Sequence, residues 1–190
     1  MKNINARLSE MTNKINSGEM LSSHGLGNEI NFHIFDYDPE DEYTVKDYLN
    51  NYLNVKCGNK VKIINLYQII IDILEENKFL DKVFEYEKTK GTPYVNNLIS
   101  KTLGISSNSG MFVEKIKSEI EYDKIIILTG ISECYGIVRG HTILNKLHSL
   151  VTNNPLIMCY PGSYNGQSLK LFNKLENDNY YRAFPLVERN

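Results

Sequence analysis

The chain has 190 residues, 23 of them acidic and 21 basic, so its formal net charge is −2 at pH 7. A charge so close to zero gives no overall attraction to nucleic acid, although it does not exclude a local basic groove. The length suits one domain, and a hydrophobic fraction of 42% is enough to close a substantial core. We therefore expect a single α/β domain over residues 1–190.

The cysteines and the N-terminal residues indicate where the protein works. Cys57, Cys134 and Cys159 are odd in number and form no C-x-x-C pair, which favours a reducing compartment without disulfides or a zinc ribbon. Residues 1–21 lack the apolar core of a signal peptide, and no stretch approaches the roughly 18 apolar residues of a membrane span. We expect a cytoplasmic protein that does not associate with membranes.

Hydrophobic periodicity divides the chain into strands and helices. Alternating or continuous apolar runs predict strands at 29–37, 60–67, 125–128, 155–160 and 180–186. Three- and four-residue spacing predicts helices at 2–16, 39–57, 68–77, 79–89, 92–104, 111–122, 142–150 and 166–176. Residues 24–28 and 105–110 are predicted loops.

The order of these elements predicts the fold class. Strands that alternate with helices form right-handed βαβ units. We predict a three-layer α/β fold with a mainly parallel central sheet of about five strands and helices on both faces. The helices between 68 and 122 then form an insertion between the second and third strands.

Two of the predicted helices begin beside a proline. Asp38-Pro39 and Thr92-Pro93 each place a capping side chain before a proline at the first helical position. The five carboxylates at positions 36, 38, 40, 41 and 42 could instead suit a divalent cation. We favour the capping interpretation, because each acidic side chain in a first turn stabilises the helix N-terminus by about 0.3–1 kcal/mol.

The most unusual stretch of the sequence runs from 160 to 184. Pro161-Gly162 is predicted to end the strand at 155–160, because proline lacks an N–H donor and glycine permits a positive φ. A helix from about 166 then places residues 163–168 between a strand end and a helix N-terminus. Proteins with α/β folds commonly bind ligands at such a position.

This stretch resembles the signature of the BrxB family, a component of BREX phage-defence systems. The resemblance lies in Tyr-Pro-Gly-x-Tyr-x-Gly-Gln-Ser-Leu-x-Leu-Phe at 160–172 and Asn-Tyr-Tyr-Arg-Ala-Phe at 179–184. Shorter matches occur at 37–39, 65–67, 128–130 and 139–145, so the resemblance covers nearly the whole chain. The chain departs from the expected pattern at 131–136, where a more apolar stretch with a proline would stand, and at Cys159.

A phosphate-binding loop is the first enzyme-like candidate in this stretch. Gly162-x-x-x-Gly166-Gln167-Ser168 would follow a strand and precede a helix, as a Gly-rich phosphate loop does. It has one residue too few between the glycines, and Gln167 stands where that pattern requires lysine. We do not expect nucleotide hydrolysis, but binding of an anion at the helix N-terminus is an alternative that the sequence does not exclude.

A second candidate follows the third strand. Arg139 and His141 could act as a phosphate ligand or a general acid, and Cys134 beside Glu133 could act as a nucleophile. Arg139 and His141 could equally cap the next helix and contact the loop at 161–166, because adjacent parallel strands end at the same edge. We favour a structural or partner contact over a hydrolase built on Cys134 and His141.

Tyrosines gather around a lone arginine in the signature: Tyr160, Tyr164, Tyr180, Tyr181 and Arg182. Both base-stacking platforms and protein-binding hot spots favour these residue types. Alternate side chains of a strand at 180–186 face opposite sides, so some of these rings must lie in the core. Because the net charge is near zero, we favour a protein interface.

These observations lead to one functional prediction and one alternative. The resemblance implies a component of a BREX complex, and we predict that it is a non-catalytic adaptor subunit, without metal or cofactor. The resemblance also implies PglZ, a phosphatase-like protein, the BrxC ATPase and the PglX methyltransferase as partners, and only indirect association with DNA. The alternative is a regulatory subunit that binds a nucleotide or nucleic acid at an anion site. The predicted functional surface comprises Gly130, Arg139, His141, Pro161, Gly162, Tyr164, Gly166, Gln167, Ser168, Tyr180 and Arg182.

Overall fold

The computed structural model describes residues 3–22, 31–138, 142, 146, 151, 154–176 and 183–189. The chain divides into two compact units. Unit 1 comprises Met1–Ile63, Glu121–Thr129 and Val151–Asn190, and unit 2 comprises Ile64–Ile120 and Gly130–Leu150. The prediction of a single domain over the whole chain stays a prediction.

The described helices and strands follow the predicted order over most of the chain. The helices are α1 (Ile4–Ser17), α2 (Glu19–Ser22), α3 (Glu42–Tyr48), α4 (Asn54–Cys57), α5 (Leu66–Glu76), α6 (Leu80–Lys90), α7 (Thr92–Thr102) and α8 (Met111–Glu119). The strands are β1 (Phe32–Tyr37), β2 (Val61–Asn65), β3 (Ile125–Thr129), β4 (Leu156–Tyr164), β5 (Leu169–Leu171), β6 (Leu175–Glu176) and β7 (Phe184–Pro185). Short 3-10 turns at Pro39–Asp41 and Gly58–Lys60 and a π-helical turn at Leu49–Leu53 flank α3 and α4.

The described strands form one sheet in the order β2-β3-β4-β1-β7. Strand β4 is parallel to both β1 and β3, and β7 is parallel to β1. Strands β5 and β6 extend from β4 as antiparallel pairs. This arrangement confirms the predicted α/β class with a mainly parallel central sheet, consistent with a three-layer fold.

Unit 1 has a core in which α1 packs on the sheet. The side chain of Asn3 accepts a hydrogen bond from the Asn5 N–H at 3.0 Å, and Gly18 ends the helix with a φ of 78°. The three- and four-residue spacing of Leu8, Met11 and Ile15 places these side chains on one buried face. Apolar side chains of β1, β3, β4 and the helical segment 42–57 complete the cluster.

Unit 2 contains the predicted helical insertion between β2 and β3. Its first helix, α5, begins at an N-cap in which Asn65 Oδ1 accepts from the N–H groups of Tyr67 at 3.0 Å and Gln68 at 3.1 Å. Helix α5 contacts α6 and α8, and α6 contacts α7. At the predicted loop 105–110 the chain folds back so closely that a Cβ on Gly110 would lie 2.2 Å from the Gly104 carbonyl oxygen.

The predicted strand end at residue 160 and the predicted helix at 166–176 are both wrong. Strand β4 continues through Pro161 and Gly162, and β5 and β6 occupy the place of the helix. Strand β4 accommodates Pro161, which has no N–H group, because Pro161 takes part as a hydrogen-bond acceptor. Its carbonyl oxygen accepts a hydrogen bond from the Phe172 N–H at 2.9 Å. Positive φ angles at Phe172 and Asn173 then form the tight turn between β5 and β6.

One capping prediction is confirmed in position, and the other needs correction. Asp38 is the N-cap residue and Pro39 begins a 3-10 turn, although the Asp38 side chain makes no capping hydrogen bond. Gly91, not Thr92, occupies the cap position of α7, and the Thr92 hydroxyl donates to Glu87 Oε1 at 3.0 Å. Of the predicted helix at 142–150, residues 142 and 146 are helical and the others lie outside the described residues, as do 24–28 and 180–182.

Candidate functional site

The structure brings together six of the eleven predicted surface residues. Pro161, Gly162, Tyr164, Gly166, Gln167 and Ser168 lie along the end of β4 and its turn into β5, within unit 1. We call residues 160–171 the signature hairpin. Gly130 belongs to unit 2, and Arg139, His141, Tyr180 and Arg182 lie outside the described residues.

Asn165 organises the turn of the signature hairpin. Its Oδ1 atom accepts from the N–H groups of Gln167 at 2.9 Å and Ser168 at 2.7 Å. These are the peptide groups that a phosphate-binding loop would direct at an anion. The predicted anion site at a helix N-terminus is therefore wrong for this turn, since a strand follows it and Asn165 already takes these N–H groups.

Beneath the hairpin lies a buried carboxylate, Asp36, at the end of β1. The Arg7 Nη2 atom lies 3.0 Å from Asp36 Oδ1, and only 5% and 6% of the two side chains are exposed. On the other side, Arg189 Nε lies 2.8 Å from Asp36 Oδ2. The same oxygen accepts the Tyr164 N–H at 3.0 Å. We call Arg7, Asp36, Asp38, Tyr164 and Arg189 the Asp36 cluster.

Arg7 ties the N-terminal helix to the sheet and to the C-terminal segment. Its Nη1 atom donates to the Asp36 carbonyl oxygen at 2.6 Å, and Nη2 donates to the Val187 carbonyl oxygen at 2.9 Å. The guanidinium carbon lies 5.0 Å from the centre of the Phe35 ring, in a cation–π arrangement. A second bond from α1 joins Lys14 Nζ to the Leu186 carbonyl oxygen at 2.6 Å.

Asp38 is the N-cap residue of the turn at Pro39–Asp41, and its carboxylate takes part in this cluster. Its Oδ1 atom lies 3.0 Å from Arg189 Nη1 and accepts from Asn173 Nδ2 at 2.9 Å. The hydrogen bond from Asn173, with a smaller effect of the Arg189 guanidinium, lowers the pKa of Asp38 below its ordinary value. Arg189 also donates to the Gly162 carbonyl oxygen. Two guanidinium groups are thus matched by two carboxylates, and the cluster has no surplus positive charge.

Three signature residues have structural roles in the hairpin. Pro161 and Gly162 are buried, and a Cβ at Gly162 would lie 2.1 Å from the Lys170 carbonyl oxygen. Tyr164 is half-buried, and its hydroxyl donates to the Ala183 carbonyl oxygen at 2.8 Å. Tyr164 therefore joins the hairpin both to Asp36, through its N–H group, and to the residue before β7, through its hydroxyl.

The exposed part of the signature consists of polar and aromatic side chains. Asn165 and Gln167 are exposed at the hairpin turn. Phe184 on β7 is 59% exposed, although its neighbour Ala183 is buried, and its ring centre lies 6.2 Å from that of His33. We call Asn165, Gln167 and Phe184 the signature surface.

Gly130 fixes a contact inside unit 2. It has a φ of 80°, and a Cβ there would lie 2.3 Å from Asn65 Oδ1, the atom that caps α5. Two of the shorter segments that resemble the family, 65–67 and 128–130, therefore meet at this point. Gly130 acts as a packing residue, so its predicted place on the functional surface is not supported by this contact.

The described residues give limited support to the hydrolase alternative. Cys134 is fully buried, and burial, with a smaller effect of Glu133, raises the pKa of its thiol to about 12. Burial also raises the pKa of the Cys159 thiol. A protonated thiol is a weak nucleophile. His141 lies outside the described residues, so the Cys134–His141 pair stays a prediction. Within the described ranges, the carboxylates at 36–42 form no group suited to a metal ion.

Sequence reasoning missed the two arginines of the Asp36 cluster. Arg7 lies on the buried face of α1, among the apolar side chains at positions 4, 8, 11 and 15. This position in the sequence pattern could have indicated a buried ion pair. A basic residue at such a position requires a buried acidic partner. Arg189, three residues beyond the last predicted strand, gave no comparable signal.

Fold and site together define an α/β protein in which one buried carboxylate joins the N-terminal helix, a hairpin and the C-terminal segment. Comparisons with known proteins extend this description. The family model described as BREX protein BrxB matches residues 62–186. A protein of Bacillus cereus (strain H3081.97) called BREX protein BrxB is 40% identical over 192 residues, covering all of both chains. One of the same name from Escherichia coli O9:H4 (strain HS) is 34% identical, covering 95% of this chain and 90% of its own.

The chain therefore belongs to the BrxB family of BREX proteins, which confirms the resemblance seen in its signature. No solved structure matches it. Among the described residues, no helix is long and apolar enough to cross a membrane. The predicted cytoplasmic location stays a prediction.

Proposed function

We propose that this chain is a non-catalytic adaptor subunit of a BREX anti-phage complex and that its signature surface binds another BREX protein. The PglZ phosphatase-like protein is the first partner that we propose, followed by the BrxC ATPase and the PglX methyltransferase. Association with DNA is then indirect, through these partners. Membership of the BrxB family supports assignment to the BREX system.

The exposure of Phe184 is the observation that carries the proposal. An aromatic side chain at a signature position is 59% exposed, whereas the residues on either side of the short strand, Ala183 and Leu186, are buried. Exposed aromatic side chains that stand on a rigid base are typical anchors of protein interfaces. Asn165 and Gln167 are exposed polar residues of the same signature, and polar groups commonly form the rim of an interface.

The Asp36 cluster supports this surface by holding it in place. Tyr164 connects the hairpin to Asp36 through its N–H and to Ala183 through its hydroxyl. Two further contacts hold the C-terminal segment, one from Arg189 to Asp36 and one from Lys14 to the Leu186 carbonyl oxygen. A surface that is ordered before binding loses less conformational entropy when the partner arrives, which favours affinity.

The alternative of a nucleotide- or nucleic-acid-binding regulator receives less support from the hairpin. Its proposed anion-binding N–H groups donate to Asn165, and the arginines of the Asp36 cluster are paired with carboxylates. An anionic ligand would have to displace these contacts.

A pull-down from cells that co-express the BREX components tests the proposal. Tagged wild-type chain should retain a stoichiometric BREX partner, and a Phe184→Ala, Gln167→Ala double variant should lose it while keeping its melting temperature. Tyr43→Ala is a matched control, because Tyr43 is 81% exposed in unit 1 and lies outside the signature. Retention of the partner by the double variant would contradict the proposed interface.

A further inference from the structure

A groove of about 430 Å³ lies within unit 2, between α5, α6, α7 and the turn at residues 133–137. Its floor is apolar, with buried side chains such as Ile70, Leu74 and Val95. The volume is within the range of ordinary ligand and peptide pockets, about 300–1,000 Å³. We call it the unit 2 groove.

An exposed aromatic residue stands at the groove. Phe84 lines it from α6 and is 52% exposed, while the neighbouring lining residue Val83 is buried. Helix α6 therefore presents a large apolar side chain to solvent beside an apolar floor. A contiguous apolar surface of this kind is typical of a site that another molecule covers.

The charged groups of the groove have one sign. Glu87 and Glu133 line it, and none of its described lining residues is basic. Each carboxylate accepts a hydrogen bond from a nearby hydroxyl group. Glu87 accepts from Thr92 at 3.0 Å, and Glu133 accepts from Ser132 at 2.7 Å. A carboxylate has about four acceptor positions, so Glu87 can also receive an ammonium or guanidinium group. The charge of the groove disfavours nucleic acid and anionic lipid, and it complements a cation.

We propose that the unit 2 groove binds an amphipathic, basic helical segment of a partner protein. Apolar side chains of that helix enter the groove beside Phe84, a lysine or arginine on its flank pairs with Glu87, and Glu133 adds to the negative charge of the groove. Helices with apolar anchors at three- and four-residue intervals commonly bind in grooves between helices. The inference rests on the proposed adaptor function, since it adds a second docking surface to a protein whose signature surface is the first.

The first test uses a designed probe and the full purified chain. A fluorescein-labelled amphipathic peptide of leucine and lysine, about 18 residues or five helical turns long, is titrated with protein while its anisotropy is measured. A second peptide keeps the leucines and replaces each lysine with glutamate. The lysine peptide should bind the wild-type chain, and the glutamate peptide should bind more weakly.

Variants assign this binding to the groove. Phe84→Ser should weaken the lysine peptide roughly tenfold or more, as removal of an aromatic anchor commonly does. Glu87→Lys and, separately, Glu133→Lys should weaken the lysine peptide and strengthen the glutamate peptide, each by roughly two- to fivefold. Tyr122→Ser is the control, because Tyr122 is 78% exposed in unit 1, and it should change neither affinity.

Three results would overturn the inference. The first is equal affinity of both peptides for the wild-type chain, and the second is binding of the lysine peptide that Phe84→Ser does not change. The third is an oligomer of the wild-type chain in size-exclusion chromatography that Phe84→Ser dissociates, because this would assign the groove to a second copy of the chain. Circular dichroism measures whether each variant is folded. If Phe84→Ser does not fold, the charge-reversal variants Glu87→Lys and Glu133→Lys still test the inference. The adaptor function is measured separately with the Phe184 and Gln167 variants, so either proposal can fail alone.

Discussion

The Arg7 guanidinium and the Asp36 carboxylate approach to 3.0 Å in the interior of unit 1, where neither side chain is more than 6% exposed. Residue 7 lies on the N-terminal helix and residue 36 near the end of β1, so the pair joins segments 29 residues apart. Removing one member of a buried pair leaves an uncompensated charge, which is far more costly than the loss of a surface pair.

Asp36→Asn should therefore destabilise the protein strongly. The substitution keeps the volume of the side chain but leaves Arg7 without its carboxylate, and we expect the free energy of unfolding to fall by about 3–5 kcal/mol. Urea denaturation followed by circular dichroism measures the change. Lys117→Ala, which removes an exposed pair with Glu114, should change it by less than about 1 kcal/mol. Equal effects of the two substitutions would show that the Asp36 cluster does not stabilise the fold.

Gly162→Ala should disrupt the signature hairpin. The added methyl group would meet backbone atoms of β5, the Lys170 carbonyl oxygen at 2.1 Å and the Leu171 Cα at 3.1 Å, so a strand would have to move. We expect a loss of about 1–3 kcal/mol in unfolding free energy. Gly166→Ala separates clash from backbone strain, because Gly166 has a φ of 87° but, apart from its chain neighbours, no atom within 4 Å of the added carbon. The loss for Gly166→Ala should be about 1 kcal/mol, and a loss as large as that of Gly162→Ala would argue against the close approach.

His33 should make the stability of the protein depend on pH between about 4 and 6.5. Burial, with a smaller effect of Lys14, lowers the pKa of His33 to about 4, whereas the unfolded chain should have the ordinary value of about 6.5. Between these values the unfolded state binds more protons, so stability falls as pH decreases through the interval. We expect a decrease of about 1–3 kcal/mol attributable to this residue.

The His33→Gln variant isolates this contribution. Its side chain can still bond to Asn31 Oδ1, which lies 2.9 Å from His33 Nε2, but it does not titrate. Urea midpoints of both proteins should be compared at pH 7 and pH 4.5. If the wild type loses no more stability than the variant on acidification, His33 does not have a lowered pKa.

Hydrophobic periodicity predicted the parallel sheet and the helices of unit 2 well, because the continuous apolar run at 125–128 is typical of a buried strand and the one-sided apolar pattern at 68–77 is typical of a helix. It failed at 166–176, where Leu169, Phe172 and Leu175 suggest a helix but the burial of Leu169 and Leu171 fits a strand equally. The positive φ angles at Phe172 and Asn173 decided between them; asparagine is common at such angles, but phenylalanine is not.

The candidate site was predicted only in part for a related reason. Pro161 and Gly162 were recognised as unusual backbone positions, yet their contacts with β5 and Arg189 depend on segments that are distant in sequence. Asp38 could be placed at a helix start, because capping is a local rule. The side-chain partners of Asp36 and Asp38 could not be predicted in this way, because Arg7, Asn173 and Arg189 lie 29, 135 and 151 residues away along the chain.

The most direct test of the adaptor function is the binding of the purified chain to purified PglZ, measured by isothermal titration calorimetry. The wild type and the Tyr43→Ala control should bind with one-to-one stoichiometry. Phe184→Ala should bind at least about tenfold more weakly, as expected for loss of an aromatic anchor, without loss of folding. Equal binding by Phe184→Ala would contradict the proposed surface, and absence of binding by the wild type to PglZ, BrxC and PglX would contradict the adaptor function itself.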